Sequence, residues 1–568
     1  AFDNCDMIKK ILVDDNNLHF SSENGILYTK NKETLLRYPL LMNEEHFTVP
    51  ICVNKIANSA FYNCLDLKTV TIQSNVEFIG DSAFANCFNL EYIFVDDNNP
   101  KFVSIDGVLY TKDLKTLICY PTNKSNSIFT INSTVITISH YAFSDKLTSI
   151  VLPEGLISIG KSAFSNCTGL ESIRIPASVM FIGDLAFYNS HFETFLIDPE
   201  NPNFISVGGV LFTKDCKKLI AYPARLIHSD YEIPSTVTSI DRYAFSDCIN
   251  LQYVKIPNGV ESINEYTFFK CAKLANIDLP STVVVIGDFA FSRCDALTLI
   301  TIPSSTSIIG TKAFYKCQNL ESITISAKVT SIGYGAFQRC PNLLTIQVDE
   351  GNSRFTSRDG ILFSKNCQML ICYPPKKADE VYIVPDGVIS IDSYAFSCNP
   401  NLKTITIPSS VVSMGKTPYF KCDQLEQIIV EPNNPSFISI DGILFTKDIG
   451  TLLCFPSSHH IAQYTIPSTV CSIDDSAFYS CCNLKSIAIP SSVASIGRKA
   501  FELCKNLEQI VTIDPSSLNF ISTSAFSYCA RLSSIVLPSI ITTIPNSVFG
   551  YCRWLSTIVI PSTVTAIC

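Results

Sequence analysis

The sequence predicts an α/β solenoid, a stack of short coils with a parallel β-sheet on its concave face and short helical or 3-10 turns between strands. Two observations lead to this fold class. First, a phenylalanine in the segment Ala-Phe-x-x-Cys recurs along all 568 residues, most often every 23 residues. Second, hydrophobic residues make up 47 % of the chain. A unit of 23 residues cannot enclose a core alone, so the units must stack on one another.

The repeat phenylalanine, or the residue aligned with it, occurs in 17 copies. Of the 16 intervals, eight are 23 residues, three are 21, 24 or 25, and five are 58 or 59. We therefore expect one continuous solenoid over residues 1–568 with five long insertions. The copies are Phe2, Phe61, Phe84, Phe143, Phe164, Phe187, Phe245, Phe268, Phe291, Phe314, Phe337, Phe396, Phe420, Phe478, Phe501, Phe526 and Phe549.

One unit shows how the elements follow each other. Leu297, Ile300 and Ile302, with two residues and then one residue between them, predict a short strand, which Pro303 ends. Ile309-Gly310 predicts a second extended corner, and Ala313-Phe314 opens a short helical or 3-10 turn. Stacked in register, such strands form a parallel sheet with neighbours about 4.8 Å apart.

The extra residues of the five long intervals repeat among themselves. In the second of them, Asp106-Gly107 between apolar runs is a strong hairpin signal. We expect five β-meanders that project from the solenoid. Deleting one of them, for instance residues 96–121, should leave the solenoid folded. Their irregular edges favour binding, with Phe102, Tyr110 and Tyr120 as candidate contacts. These inserts lie near 13–39, 95–121, 197–223, 348–374 and 430–456.

The repeat as a whole resembles a known family. The pattern Leu-x-x-Ile-x-Ile-Pro-x-x-Val-x-x-Ile-Gly-x-x-Ala-Phe-x-x-Cys-x-x-Leu is similar to BspA-like leucine-rich repeats of the Treponema pallidum type, from Phe2 to Ile567. Similar interruptions occur in BspA-like proteins. The resemblance implies a cell-surface or secreted protein that adheres to host proteins, matrix or other cells.

Thirteen cysteines follow the repeat phenylalanine by three residues, and Cys398 and Cys422 come one place early. The chain has no Cys-x-x-Cys pair for zinc, and in-register side chains do not present the dihedral angle of a disulfide. We therefore expect a column of reduced, buried thiols. The insert cysteines Cys119, Cys372 and Cys454 are left as candidates for redox sensitivity.

No catalytic residue, cofactor site or metal site is predicted, because the chain lacks His-Glu-x-x-His, Gly-x-Ser-x-Gly and glycine-rich phosphate motifs. His459-His460 is expected to be an exposed loop pair. Acidic turns such as 96–99 offer oxygen ligands for calcium, but Asx-turn hydrogen bonds explain them equally well without an ion. Both interpretations stay open. We expect a protein that is not an enzyme.

Charge and hydropathy exclude two partner classes. The formal charge of −9 provides no basic surface for nucleic acid, and no apolar run approaches the 18 residues that span a bilayer. The outward positions of the concave strands are small and weakly polar, apart from side chains such as Tyr253 and Lys255, which are further candidate contacts.

The predicted function is a non-enzymatic scaffold that binds a protein or glycan ligand, with host cells or matrix as candidates. A cell-surface or secreted location follows from the resemblance alone. The alternative is a cytoplasmic scaffold or assembly component, because unpaired thiols fit a reducing compartment. The chain begins and ends inside a repeat, so the array is expected to continue beyond Ala1 and Cys568.

Overall fold

The computed structural model describes residues 9–125, 127–143, 147–512 and 517–567. Phe2, Cys5 and Cys568 lie outside these ranges. Contacts divide the chain into two compact units: unit 1 comprises Ala1–Asn31, Pro39–Met42 and Gln338–Cys568, and unit 2 comprises Lys32–Tyr38 and Asn43–Phe337. Each unit is a stack of coils whose long strands pair in parallel. That the two form one continuous solenoid stays a prediction.

Each ordinary coil begins with a long strand, which alternates outward and inward side chains. In unit 2, Thr69–Ile72 pairs in parallel with Tyr92–Val95 at an offset of one coil. The long strands are Lys10–Val13, His46–Thr48, Thr69–Ile72, Tyr92–Val95, Ile128–Thr130, Ser149–Val151, Ser172–Ile175, Thr194–Ile197, Asp230–Glu232, Tyr253–Lys255, Asn276–Asp278, Leu299–Thr301, Ser322–Ile325, Thr345–Val348, Val381–Ile383, Thr404–Ile407, Gln427–Val430, Gln463–Thr465, Ser486–Ile489, Gln509–Thr512 and Thr557–Ile560.

Each coil then turns into a short strand of two residues, whose second side chain points inward. In unit 2, Ser262–Ile263 pairs with Val285–Ile286, which pairs with Ile308–Ile309. The short strands are Lys55–Ile56, Phe78–Ile79, Thr137–Ile138, Ser158–Ile159, Phe181–Ile182, Ser239–Ile240, Ser262–Ile263, Val285–Ile286, Ile308–Ile309, Ser331–Ile332, Ser390–Ile391, Ser413–Met414, Ser472–Ile473, Ser495–Ile496, Phe520–Ile521, Thr543–Ile544 and Ala566–Ile567.

The third side of each coil is the turn that carries the repeat phenylalanine. The described residues contain no helix, so the predicted helical or 3-10 turns, and with them the α/β class, are not found. The physical reason is the backbone: Tyr266 and Lys270, two residues before and after Phe268, have φ of 58° and 61°. A left-handed residue at both places prevents the repeated right-handed dihedral angles of a helix.

These turns stack through hydrogen bonds between coils. The backbone N–H of Phe268 donates to the Ala290 carbonyl, and that of Phe291 to the Ala313 carbonyl, each over 2.8 Å. The rings stack in turn, with centroids of Phe268 and Phe291 5.4 Å apart and planes within 2°. Parallel strands, turn hydrogen bonds and stacked rings therefore hold every side of the coil to the next one.

One repeat position differs from the sequence alignment. Tyr419, and not Phe420, stacks on Phe396, with ring centroids 5.7 Å apart. Left-handed residues at Thr417 and Lys421 flank Tyr419 symmetrically, and Cys422 follows it by the usual three residues. The interval of 24 residues therefore becomes 23 in the structure.

The five inserts contribute three strands each. They are Phe20–Glu23, Ile26–Thr29 and Thr34–Arg37; Phe102–Ile105, Val108–Thr111 and Thr116–Cys119; Phe204–Val207, Val210–Thr213 and Lys218–Ala221; Phe355–Arg358, Ile361–Ser364 and Met369–Cys372; and Phe437–Ile440, Ile443–Thr446 and Thr451–Cys454. Over the described ranges, no helix is long and apolar enough to cross a membrane.

Candidate binding surface at the inserts

The second insert shows how the meanders are built. Phe102–Ile105 and Val108–Thr111 form an antiparallel hairpin in which Ile105 faces Val108. The two turn residues, Asp106 and Gly107, both have positive φ, 49° and 76°, as a type I′ turn requires. The hairpin predicted from Asp-Gly is therefore confirmed.

The meander does not project from the stack as the sequence suggested. Its hairpin folds back onto the preceding long strand, where the Ile93 N–H donates to the Gly107 carbonyl over 2.9 Å. A Cβ at Gly107 would lie 2.5 Å from the Tyr92 ring, so this close approach needs glycine. The third strand, Thr116–Cys119, pairs in parallel with Thr137–Ile138 and supplies the short strand of its coil.

Because the insert lies within the stack, its predicted contact residues are buried. Phe102, Tyr110 and Tyr120 are each less than a tenth exposed, and burial raises the pKa of Tyr110 and Tyr120 to about 12. Tyr120 takes the place of a repeat phenylalanine, 5.7 Å from the Phe143 ring. The expectation that these three side chains meet a partner is wrong, since they belong to the core.

In four of the inserts a buried asparagine fixes the acidic turn to the coil below. The Asn99 side-chain amide donates to the carbonyls of Gln73 and Val76, over 2.8 and 3.0 Å. Its oxygen accepts from the N–H groups of Lys101 and Phe102, over 2.9 and 2.8 Å. We call this arrangement the asparagine clamp. It recurs, with both amide bonds to the coil below, at Asn17, Asn201 and Asn434.

The carboxylates of these turns make the hydrogen bonds of Asx turns. Asp96 Oδ1 accepts from the Asn98 N–H over 2.9 Å, and Asp198 Oδ1 accepts from the Glu200 N–H over 3.0 Å. Within the described part of the chain, no three His, Cys, Asp or Glu side chains come together to hold a metal ion. The carboxylates of these two turns therefore have local hydrogen-bond partners.

The second insert and the long strand before it expose two apolar side chains as well as charged ones. Phe94, on the outer face of the long strand, is 47 % exposed, and Ile105, at the end of the first hairpin strand, is 41 % exposed. Ser104 Oγ donates to the Ile93 carbonyl, which brings the two segments together. Equivalent exposed residues stand in the third and fifth inserts. We call the following the insert apolar pairs: Phe94 with Ile105, Leu196 with Val207, and Ile429 with Ile440.

The sequence reasoning missed the insert apolar pairs, although a signal was present. Alternation along Tyr92–Val95 places Ile93 inside and therefore Phe94 outside. In the first and fourth inserts, Glu23 and Arg358 replace the second member of the pair, and both are exposed. The five insert surfaces are thus similar in backbone but different in side-chain chemistry.

A side chain downstream of the insert holds the hairpin turn in place. Lys124 is buried; its Nζ lies 2.9 Å from Asp106 Oδ2 and 4.9 Å from the centre of the Tyr92 ring. In the fifth insert His459 has this role, with Nε2 2.9 Å from the Asp441 carbonyl oxygen. His459 is buried, so the expected exposed pair His459-His460 is wrong for its first member.

The other candidate contacts lie on the long strands of unit 2. The Tyr253 hydroxyl donates to Asp278 Oδ2 over 2.5 Å, and this hydrogen bond raises the tyrosine pKa to about 12. Lys255 is exposed and its Nζ lies 3.3 Å from Glu232 Oε2. Lys255 is exposed and Tyr253 is half-buried, and each has an acidic neighbour. Their part in binding stays a prediction.

Two clefts open beside inserts, each at a place where the insert interrupts the stack of turns that carry the repeat phenylalanines. In unit 2, a cavity of about 220 Å³ lies between residues 182–188 and 241–246. In unit 1, a cavity of about 250 Å³ lies between residues 413–420 and 474–479. Aromatic rings line both, and burial raises the pKa of Asp474 in the second.

The repeat cysteines form the predicted column of buried thiols, with a role in hydrogen bonding as well. Cys294 Sγ donates to the Phe268 carbonyl over 3.2 Å, and Cys317 Sγ to the Phe291 carbonyl over 3.1 Å. Where serine replaces cysteine, Ser190 Oγ donates to the equivalent carbonyl of Phe164. The described cysteines form no disulfide.

This column predicts the result of thiol titration. Burial raises the pKa of thiols such as Cys294 well above the ordinary value, so the reactive thiolate is scarce. In the native protein, Ellman's reagent should react quickly with the three exposed cysteines, Cys52, Cys471 and Cys482. After denaturation without reductant it should count nearly all 24. A denatured count far below this number would mean that most sulfurs are paired.

Comparison with known proteins agrees with the coil geometry. The family model described as BspA type leucine rich repeat region matches residues 41–122, 118–225, 221–344, 377–453 and 448–568, which together cover most of the chain. No curated protein sequence matches significantly.

Similar solved structures include several of bacterial proteins. They include a leucine rich cell surface protein from Faecalibacterium prausnitzii (23 % identity, 87 % of this chain and 94 % of that chain covered, TM-score 0.33). Others are the pneumococcal vaccine antigen PcpA (16 %, 82 % and 84 %, TM-score 0.30) and a T. pallidum leucine rich repeat protein (19 %, 50 % and 89 %, TM-score 0.17). At these identities and TM-scores, the likeness says nothing about a ligand.

Proposed function

The chain belongs to the BspA-type leucine-rich repeat family, and on that premise we propose that it is a non-enzymatic scaffold that binds a protein through its insert surfaces. The observation that carries the proposal is the recurrence of the insert apolar pairs. Apolar side chains that stay exposed at the same place in three inserts cost solubility, which a binding role explains.

The backbone beside these pairs favours an extended partner. Phe102–Ile105 is the end strand of a six-stranded sheet in unit 2, and Phe437–Ile440 is the end strand of another in unit 1. End strands can take up a further strand from a partner, with apolar side chains giving specificity. The proposed ligand is therefore a protein segment with alternating apolar side chains.

Substitutions test this better than removal of an insert. Deleting 96–121 would also remove Thr116–Cys119, the short strand of its coil. The test variant replaces all six residues of the insert apolar pairs with alanine, and we call it the sixfold variant. The ligands are peptides selected on the wild-type chain from a phage-displayed random library. We expect the sixfold variant to bind them at least about tenfold more weakly, because truncating one buried apolar contact costs about 1 kcal/mol or more. Affinity is measured by surface plasmon resonance. The variant is Phe94→Ala, Ile105→Ala, Leu196→Ala, Val207→Ala, Ile429→Ala and Ile440→Ala.

Two matched variants keep the test specific. Leu299→Ala removes an exposed apolar side chain from a long strand that has no insert, and Tyr253→Ala with Lys255→Ala alters the other candidate contacts. Leu299→Ala should bind the selected peptides as the wild type does, and the Tyr253 and Lys255 variant should lose less affinity than the sixfold variant. Unchanged binding by the sixfold variant, together with loss in the Tyr253 and Lys255 variant, would move the site to the long-strand face.

Within this function we place the chain at the cell surface, as an adhesion or host-interaction protein, in keeping with its family. Protease treatment of intact cells, followed by immunoblotting, checks the location: a surface protein is cleaved while a cytoplasmic marker survives. The second candidate is an intracellular scaffold. It is favoured by the cysteines of the described residues, which form no disulfide bond, because reduced thiols persist in reducing compartments.

A further inference from the structure

A joint between two distant parts of the chain repeats the contact that normally joins successive coils. In unit 1, Lys10–Val13 pairs in parallel with Thr557–Ile560, with Leu12 opposite Val559. The Asp14 N–H donates to the Ile560 carbonyl over 3.1 Å. The Asn17 side-chain amide then donates to the carbonyls of Pro561 and Val564, over 3.1 and 2.9 Å.

The same bonds occur between coils that are neighbours in sequence. In the second insert, the Asp96 N–H donates to the Ile72 carbonyl over 2.9 Å, and Asn99 clamps Gln73 and Val76. There the clamp joins residues 23 and 26 apart, whereas Asn17 reaches residues 544 and 547 away. The joint therefore forms without a short covalent connection between its halves.

The first insert completes the joint. The Ile11 N–H donates to the Gly25 carbonyl over 2.8 Å, and a Cβ at Gly25 would lie 2.9 Å from Lys10 Cγ. The hairpin therefore packs on Lys10–Val13 as the other hairpins pack on their own long strands. Strand, clamp and hairpin form one ready-made docking element, and residues 557–564 form its receptor.

We propose that this joint also forms between two copies of the chain, residues 10–17 of one copy stacking on residues 557–564 of a second. A surface and its complement at different places on one molecule make a head-to-tail contact, and exchange of an identical element between copies keeps every hydrogen bond. The exchanged and unexchanged forms differ mainly through the effective concentration of the linked halves. Refolding at high protein concentration therefore favours exchange.

Crosslinking between two single variants tests the exchange. Leu12 and Val559 are opposite each other and are 41 % and 56 % exposed. The Leu12→Cys and Val559→Cys chains are mixed in denaturant, refolded together at about 100 µM and treated with a short bismaleimide. We expect a covalent dimer in the mixture at several times the yield of either variant alone, where the joint places no second introduced cysteine opposite the first.

Two further samples make the outcome decisive. A mixture of Leu12→Cys with Leu299→Cys should give only the background yield, because Leu299–Thr301 pairs with Ser322–Ile325 and not with Lys10–Val13. Adding Asn17→Ala to the Leu12→Cys chain should lower the dimer yield at least about threefold. The proposal is overturned if the Leu12→Cys and Val559→Cys mixture gives no dimer above background. This holds even if a chain that carries both substitutions crosslinks within itself, since that result shows the joint within one copy only.

Discussion

Replacing Phe291 with alanine is expected to lower the free energy of unfolding by about 3–5 kcal/mol. The side chain is fully buried, and its ring lies between those of Phe268 and Phe314, with centroids 5.4 and 5.5 Å away. Truncation removes the apolar contact and leaves a cavity that the hydrogen-bonded coils on both sides cannot close. Urea denaturation followed by circular dichroism measures the loss.

The control is Phe181→Ala, in the same unit. Phe181 is 57 % exposed, so its truncation should change stability by less than about 0.5 kcal/mol. A cost below about 1 kcal/mol for Phe291→Ala would show that the ring column is not the main core of unit 2.

The column of stacked phenylalanine rings was predictable because the spacing of these residues and the volume of their side chains repeat together. A phenylalanine every 23 residues can only be buried by stacking on its copies, so the period indicates both the fold and its core. The same reasoning could not choose between Tyr419 and Phe420, since both are aromatic. The backbone decides: the left-handed residues Thr417 and Lys421 and the thiol of Cys422 place Tyr419 inside.

The turns and the inserts were less predictable, for two physical reasons. Left-handed residues two places before and after each phenylalanine include serine, lysine, tyrosine and arginine, so residue type alone does not reveal them. In the inserts, Val108–Thr111 has three consecutive buried residues, because both faces of that strand are covered. An aromatic residue such as Tyr110 is then core even though it belongs to an irregular segment.

The asparagine clamp was not predicted, because an asparagine in an acidic turn suggests solvent or an ion. Its burial follows from the stack: the turn must end the long strand and also satisfy two carbonyls of the coil below. Only a side chain that both donates twice and accepts can do this.

The aspartate substitution Asn99→Asp should therefore cost about 3–5 kcal/mol at pH 7, as expected for an unpaired buried charge. The carboxylate keeps the bonds from the Lys101 and Phe102 N–H groups but faces two carbonyl oxygens with no proton to donate. Urea denaturation of the variant and the wild type in parallel measures the difference.

The pH dependence of that difference identifies its cause. A protonated carboxyl donates one bond, so the pKa of the introduced aspartate is raised in the folded state. The cost relative to the wild type should then be smallest below the unfolded pKa of about 3.9 and grow as pH rises towards the raised folded value. Asn98→Asp, on the exposed neighbour, should change stability by less than about 0.5 kcal/mol. If the cost of Asn99→Asp does not vary between pH 4 and pH 7, the cost comes from lost packing. Packing, and not the two hydrogen bonds to carbonyl groups, would then hold the insert to its coil.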